Sequence, residues 1–213
     1  MKSVMWAHLI VIIAVLLLSI EFWCSFPTEV KAQEATDAPK LEVDPFWPKP
    51  LPDRWVTGEV SVCVDAQDHV LLFARANLTP KELENSTPSP PVIEFDPDGN
   101  VVNSWGKFDL LPKKPHGCYF DYQGNVWFTG SEDGIVQKYT HDGSKMLLQI
   151  GTKGRFDTSD GTMTAPPMNS SHESLNLPTG TAVDPTNGDV YVSDGYGNRR
   201  VVVFDRDGHF LRQ

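Results

Sequence analysis

Residues 177–213 read LPTGTAVDPTNGDVYVSDGYGNRRVVVFDRDGHFLRQ, and this stretch decides the fold class. It contains short runs of β-branched and aromatic residues at 181–184, 189–193 and 201–204. Polar turns separate the runs, and the Asp207-Gly208 dipeptide after the third run is typical of a tight hairpin. No helical periodicity is present. The stretch therefore predicts antiparallel β-strands joined by short turns.

The same pattern occurs twice more upstream, in residues 60–105 and 117–150. Each copy has a run ending in Asp, a second run, a third run ending in an aromatic residue, an Asp-Gly turn and a fourth run. Four antiparallel strands that recur with one signature indicate the blades of a β-propeller rather than an immunoglobulin-like sandwich. We therefore predict an all-β chain with about three four-stranded blades in residues 57–213, the third cut short. Residues 33–56 are rich in proline and are predicted to form an extended segment.

The first 32 residues have the features of a cleavable signal peptide. Lys2 precedes an apolar run at 9–18, and Val30-Lys31-Ala32 resembles a small-residue cleavage site. An uncleaved membrane anchor is the alternative, although Glu21 interrupts a stretch that would need about 20 apolar residues. We expect a periplasmic or extracellular protein with no stable membrane span after cleavage.

Charge and cysteine content exclude two other classes of protein. The formal net charge is −10, and an acidic chain without a Lys/Arg cluster is a poor candidate for binding nucleic acid. Cys63 and Cys118 are too few for a disulfide scaffold, so the fold must depend on a hydrophobic core. Both are predicted to be buried on the first strands of neighbouring blades. Cys63 lies two positions and Cys118 three positions before the Asp that ends its run. This difference leaves open whether the two side chains face each other or point apart.

Loop lengths indicate which end of the blades carries function. The turns after the first and third strands are tight, whereas the other connections contain long loops, at residues 76–89, 106–115 and 152–177. Long loops on one face of a rigid scaffold usually carry binding sites. His116 begins a first strand, and Arg75 and Tyr196 follow second strands, so all three should reach this face. Each of them alone is more often a structural residue.

Residues 177–200 form an NHL-repeat signature that resembles peptidyl-α-hydroxyglycine α-amidating lyase (peptidylamidoglycolate lyase), a six-bladed propeller. Phe73-Ala74-Arg75 and Pro115-His116-Gly117 also resemble that enzyme. The resemblance implies six blades in the complete fold, of which this chain holds about three. It also implies that the protein cleaves peptidyl-α-hydroxyglycine to a peptide amide and glyoxylate.

The resemblance further implies a set of site residues. Three histidines bind a zinc ion in that family, and His116 matches the first of them. Tyr196 matches the tyrosine proposed as general base, and Arg75 matches an arginine beside the metal. A structural calcium takes backbone carbonyls at positions that match Val62 and Cys118. The substrate would be a peptide or a small hydroxylated molecule.

Several features depart from the family pattern. Two family cysteines fall at Asn176 and Gly197, so that disulfide is missing as a pair. The other two zinc ligands are matched by none of the remaining histidines, which include His141, His172 and His209. With one zinc ligand of three, we expect this chain to be a truncated, inactive form, or less plausibly one half of a dimeric ring.

Two alternative functions stay open on the sequence. One is a non-catalytic NHL propeller that binds peptide or protein on its long-loop face. The other, weaker alternative is a lactonase-like hydrolase, which would use carboxylates and Asn around calcium.

Overall fold

The computed structural model describes residues 40–157 and 169–213, and the compact unit considered below is Asp44–Gln213. In the described residues, twelve strands form three four-stranded antiparallel sheets, each with its strands in chain order. Blade one consists of β2 (Val60–Val64), β3 (Val70–Ala74), β5 (Val92–Phe95) and β6 (Val101–Trp105). Blade two consists of β7 (Pro115–Phe120), β8 (Val126–Gly130), β9 (Val136–Tyr139) and β10 (Met146–Ile150). Blade three consists of β11 (Gly180–Val183), β12 (Val190–Asp194), β13 (Arg200–Phe204) and β14 (Phe210–Arg212). These sheets confirm the predicted fold class, a partial β-propeller.

Two short strands outside the blades were not expected from the sequence. A 3-10 turn at Pro52–Arg54 leads into β1 (Trp55–Val56), which pairs in parallel with β4 (Thr87–Pro88). Strands of two residues are too short to show any periodicity, which is why the sequence pattern did not reveal them. Before β1, the Trp47 ring packs 5.8 Å from the Phe95 ring and covers part of the outer face of blade one.

An Asp directly after the first strand of each blade closes the turn that follows. In blade one, Asp65 Oδ1 accepts hydrogen bonds from the backbone N–H groups of Gln67 and His69, both at 2.8 Å. In blade two, Asp121 Oδ1 accepts the equivalent bonds from Gln123 and Asn125 at 2.9 Å. A short side chain that bonds to the backbone two residues ahead is the feature that makes Asp a turn former.

Two hydrophobic clusters lie between the blades. Phe73 of blade one packs against Phe128 of blade two with ring centroids 4.4 Å apart. On the opposite side of blade two, Trp127 packs into a cluster with Val192 and Val202 of blade three. Successive residues of a strand point to opposite faces, so the whole of β8 is buried.

The faces of blades one and three that point away from blade two are partly exposed. Val62 and Val64 are 58% and 55% exposed, and Val201 on the far side of blade three is 51% exposed.

Cys63 and Cys118 form a disulfide between β2 and β7, with Cα atoms 5.4 Å apart. The structure thus resolves the alternative that the sequence left open, in favour of the two side chains facing each other. The expectation that both are buried is wrong, because both cysteines are only half-buried. β2 and β7 are edge strands of their sheets, so neighbours cover them on fewer sides than the central strands.

No helix in the described part of the chain is long and apolar enough to cross a membrane. The predicted signal peptide, residues 1–32, lies outside the described residues.

Candidate functional site

His116 lies at an irregularity near the start of β7. The pairing of β7 with β8 shifts register between Pro115 and Gly117, so His116 is an extra residue, as in a β-bulge. Bulges re-aim a side chain and are frequent beside active sites. A Cβ on Gly117 would come within 2.9 Å of the Thr179 carbonyl oxygen, so glycine is what allows β7 to approach blade three this closely.

The His116 ring bridges blade two and blade three. Its Nδ1 lies 2.8 Å from the Thr179 carbonyl oxygen, and its Nε2 lies 2.8 Å from the Tyr196 hydroxyl. A carbonyl oxygen only accepts, so Nδ1 must carry the proton, and in the neutral ring Nε2 must accept from the Tyr196 O–H. The two rings meet edge to face with centroids 5.1 Å apart. This arrangement fixes one tautomer and directs a basic nitrogen at a phenol.

Arg75 reaches the same site from blade one. It directly follows β3, and its Nε donates to the Pro115 carbonyl oxygen at 3.2 Å, one residue before His116. Its guanidinium also forms an ion pair with Glu59, whose side chain is 64% exposed. The structure therefore places an imidazole, a phenol and a guanidinium from three blades at the same ends of their sheets.

A cavity of about 620 Å³ adjoins Arg75. Its volume lies in the range typical of small-molecule sites, about 300–1,000 Å³. Both apolar and charged side chains line it, including those of Glu59, Arg75, Phe108, Leu111, Lys114 and Pro115. Tyr196 is 46% exposed, so the site is open to solvent. Three basic and three acidic residues line the cavity, and neither His116 nor Tyr196 is among the lining residues.

A buried polar network holds the segment that carries Tyr196. Arg200 Nε donates to Asp194 Oδ2 at 3.0 Å, and Asn198 Nδ2 donates to the same oxygen at 2.7 Å and to Asp157 Oδ2 at 3.0 Å. Burial raises the pKa of Asp194, while the hydrogen bonds of Asn198 and Arg200 work in the opposite direction. The network brackets residues 195–197 and so sets the position of Tyr196. The sequence carried a signal for it, since polar residues cluster at 194–200 between two apolar strands.

The predicted metal ligands form incomplete sets in the described residues. His116 contacts Thr179, Tyr196 and Ser61, and none of these supplies an imidazole. A catalytic zinc takes three protein ligands, so the described residues do not by themselves fit the ion. The predicted calcium carbonyls of Val62 and Cys118 lie on neighbouring first strands, but they are two of the six to eight oxygens that calcium takes.

The three histidines that matched no family zinc ligand make their contacts elsewhere. His172 stacks on Phe210 with ring centroids 3.9 Å apart, and His209 Nδ1 is 3.0 Å from Asp205 Oδ2. His141 lies at the tight-turn ends of the blades, where Asp65, His69 and Glu94 bring metal-ligating atoms within 4.8 Å of one another. The sequence analysis did not identify that group.

Comparison with known proteins identifies the repeat. The family model of the NHL repeat matches residues 175–204. Peptidyl-alpha-hydroxyglycine alpha-amidating lyase 2 of Drosophila melanogaster is 29% identical over 181 residues, which cover 76% of this chain and 41% of the relative. The chain therefore carries an NHL repeat at residues 175–204 and resembles this lyase.

Other relatives and solved structures are similar to parts of this chain. Peptidyl-glycine alpha-amidating monooxygenase B of Xenopus laevis is 32% identical, covering 81% of this chain and 19% of the relative. The chain thus spans less than half the length of these two curated relatives. Virginiamycin B lyase from Staphylococcus aureus matches with a TM-score of 0.45 and 17% identity, over 73% of this chain and 40% of that one.

The positions of the two missing family cysteines are neighbours in the structure. The Gly197 N–H donates to the Asn176 carbonyl oxygen at 3.0 Å. A Cβ added to Gly197 would come within 2.1 Å of Asn176 Oδ1. The Asn176 side chain therefore occupies the space beside Gly197, and hydrogen bonds hold this loop in place of a disulfide.

Proposed function

We propose that this protein carries the catalytic site of a lyase that cleaves peptidyl-α-hydroxyglycine to a peptide amide and glyoxylate. The observation that carries the proposal is the 2.8 Å hydrogen bond between His116 Nε2 and the Tyr196 hydroxyl, formed between two blades. Relatives named amidating lyases support the reaction class. They do not favour the alternative of a non-catalytic NHL propeller.

The substrate in this proposal is of the peptide type and ends in a carboxylate. The charges that line the cavity are balanced, so the proposal rests on Arg75 itself, because Arg can bind a carboxylate through two parallel hydrogen bonds. Arg75 is paired with the exposed Glu59, and such exposed ion pairs contribute only about 0–1 kcal/mol. The substrate carboxylate can therefore replace Glu59 at little cost.

Tyr196 and His116 provide a route for the proton of the substrate hydroxyl. As Tyr196 takes that proton, its own O–H proton passes to His116 Nε2, and the electron pair left on the substrate oxygen forms the new C=O bond. The C–N bond breaks with its electrons moving to the amide nitrogen. The proton then returns through Tyr196 to that nitrogen, which restores both side chains. General acid–base catalysis of this kind contributes typically about 10²–10⁴-fold.

The proposal includes the zinc and calcium that the family resemblance implies, and an exported location. Zinc, when bound, polarises hydroxyl and carboxylate oxygens as a Lewis acid. Because Nδ1 is fixed by the Thr179 carbonyl, the ion could bind only at His116 Nε2, in place of the hydrogen bond to Tyr196, so the proton route above belongs to the metal-free site. No step above runs through the metal, because the described residues present one ligand of the required three.

Release of glyoxylate from a synthetic peptidyl-α-hydroxyglycine tests the proposal. The assay uses the longest natural gene product that contains these residues. Tyr196→Phe should lower kcat by about 10²–10⁴-fold. Tyr122→Phe is the matched control, because Tyr122 is 52% exposed and lies in the turn at the opposite end of blade two. Absence of glyoxylate with the unaltered protein, or equal rates for the two variants, would reject the proposal.

A further inference from the structure

A second cluster of ionisable side chains lies at the tight-turn ends of blades one and two. His69 Nδ1 is 2.9 Å from Glu94 Oε1, and His141 Nε2 of blade two is 3.0 Å from the same oxygen. Both ring nitrogens also face Asp65 Oδ2, at 3.9 Å for His69 and 3.5 Å for His141. Two imidazoles and two carboxylates thus converge from two blades, at the ends of the sheets opposite His116.

In blade two, the carboxylate equivalent to that of Asp65 is neutralised by a lysine of the same blade. Glu94 in blade one and Lys138 in blade two occupy equivalent register positions, each opposite the second residue of the neighbouring strand. Lys138 Nζ lies 2.8 Å from Asp121 Oδ2, so that carboxylate is paired within its own blade. In blade one the equivalent residue is an acid, so Asp65 faces a second carboxylate instead of an ammonium group.

The two carboxylates of blade one are almost entirely buried. The side chains of Asp65 and Glu94 are 4% and 6% exposed. Asp65 Oδ2 accepts no hydrogen bond from the described residues, although it is buried. Burying a carboxylate oxygen without a hydrogen bond is costly, and the two imidazoles lie 3.5 and 3.9 Å away, so a cation bound between them would satisfy this oxygen.

We propose that Asp65, His69, Glu94 and His141 bind one divalent transition-metal ion of the zinc class, which links blade one to blade two. Two imidazole nitrogens and two carboxylate oxygens form a ligand set that suits zinc, whereas calcium and magnesium prefer oxygen ligands. In a tetrahedral site with bonds of about 2.0 Å, ligand atoms lie about 3.3 Å apart. Four of the six separations between these atoms, from 2.9 to 3.9 Å, bracket that value. The ligand atoms of Asp65, His69 and Glu94 all lie within 4.8 Å of one another, and the His141 ring, which is outside that group, would have to shift to complete the tetrahedron.

The His141 ring is positioned by packing as well as by charge. It lies against Phe120, with ring centroids 4.9 Å apart, which holds its Nε2 toward the carboxylates of the neighbouring blade. This site is separate from the candidate active site, since it shares none of its residues and lies at the opposite ends of the strands. Its role would be structural, because all four ligands come from the protein.

Zinc titration of the chelator-stripped protein, followed by calorimetry, tests the site. The sharpest variant is Glu94→Lys, because it copies the Lys138–Asp121 pair of blade two and so keeps the local charge balanced. We expect the unaltered protein to bind one zinc at this site, with at least about 100-fold weaker binding in Glu94→Lys and in His69→Ala. Removing a residue that only hydrogen-bonds to a metal ligand typically weakens metal binding about 10–100-fold, so removing a direct ligand should weaken it at least as much. His116→Ala should retain this binding, and calcium should not compete.

Three results would overturn the proposal. One is the absence of zinc binding by the folded, unaltered protein. Another is equal zinc affinity in the unaltered protein and in Glu94→Lys, with both shown to be folded by circular dichroism. The third is loss of zinc binding in His116→Ala alone, which would assign the ion to the candidate active site.

Discussion

Arg200→Ala tests the account of how the fold positions Tyr196. The Arg200 side chain is 5% exposed and lies beside two fully buried carboxylates, those of Asp194 and Asp157. It also donates to the carbonyl oxygens of Ser171 at 2.8 Å and Ser174 at 2.9 Å. Its removal would therefore leave buried negative charge without this cation and leave two carbonyl oxygens without this donor.

The expected loss of stability follows from these contacts. Removing one partner of a buried ion pair costs about 3–5 kcal/mol, because the other charge stays buried without compensation. For a unit of this size, 1 kcal/mol corresponds to about 2–4 °C in Tm, so Tm should fall by roughly 6–20 °C. Burial raises the pKa of Asp194, so ionised Asp194 is less favourable in the folded state than in the unfolded state, and this cost to stability appears as pH rises through its pKa. The deficit of Arg200→Ala should thus be largest near neutral pH and should shrink as acid protonates Asp194.

Urea unfolding followed by tryptophan fluorescence measures the free energy of unfolding. Arg199→Ala is the matched control, because Arg199 is the exposed neighbour on the same segment and should change stability by no more than about 0.5 kcal/mol. A loss below about 1 kcal/mol in Arg200→Ala, or equal losses in both variants, would refute the reasoning. A deficit that grows on acidification would show that Asp194 is not the charge concerned.

Two further predictions concern contacts within and between the blades. Lys138→Met should destabilise the protein at neutral pH, because the hydrogen bonds of Lys138 and Trp127 to Asp121 outweigh burial and hold its pKa below the ordinary value. That stabilisation is present above the ordinary pKa of Asp and is lost below it, so unfolding curves of variant and parent should converge below about pH 4. Replacing Cys63 and Cys118 together by Ala should cost about 2–4 kcal/mol of unfolding free energy, since their disulfide closes a sequence separation of 55 residues. Equal stability of the double variant and the oxidised parent would contradict this.

Local sequence patterns predicted the strands well, because the contacts that form the turns within a blade join residues that are close in sequence. The predicted runs 181–184, 189–193 and 201–204 match β11, β12 and β13 to within one residue at each end. The Asp that ends each first run bonds to the turn immediately after it, so the signal and the contact lie within a few residues. The parallel pair β1–β4 is the exception, because it joins residues about thirty apart through strands too short to show a pattern.

The candidate site was predictable in its location but not in its geometry. Alternation of strand direction alone places Arg75, His116 and Tyr196 at one end of the blades. The hydrogen bond between His116 and Tyr196 depends in addition on the bulge at His116 and on the close approach of Gly117 to blade three. Both features arise from packing between blades, which a single strand's pattern does not report.

The proposed zinc cluster also depends on packing between blades, which the sequence pattern of a single strand does not show. His141 lies in the tight turn after β9. Its partners Asp65, His69 and Glu94 come from the neighbouring blade, so sequence spacing could not bring the four together. Comparing equivalent register positions between blades, where Glu94 replaces Lys138, is the signal that could have found them.

The rate of glyoxylate release by the double variant His116→Ala/Tyr196→Phe is the most direct test of the central claim, that the two side chains act as one unit on the substrate. Residues that act together in catalysis are strongly non-additive. We therefore predict that kcat/KM of the double variant is no lower than that of the more damaged single variant, within about threefold. If the two single losses instead multiply in the double variant, His116 and Tyr196 act independently, and the 2.8 Å hydrogen bond between them is not part of the catalytic site.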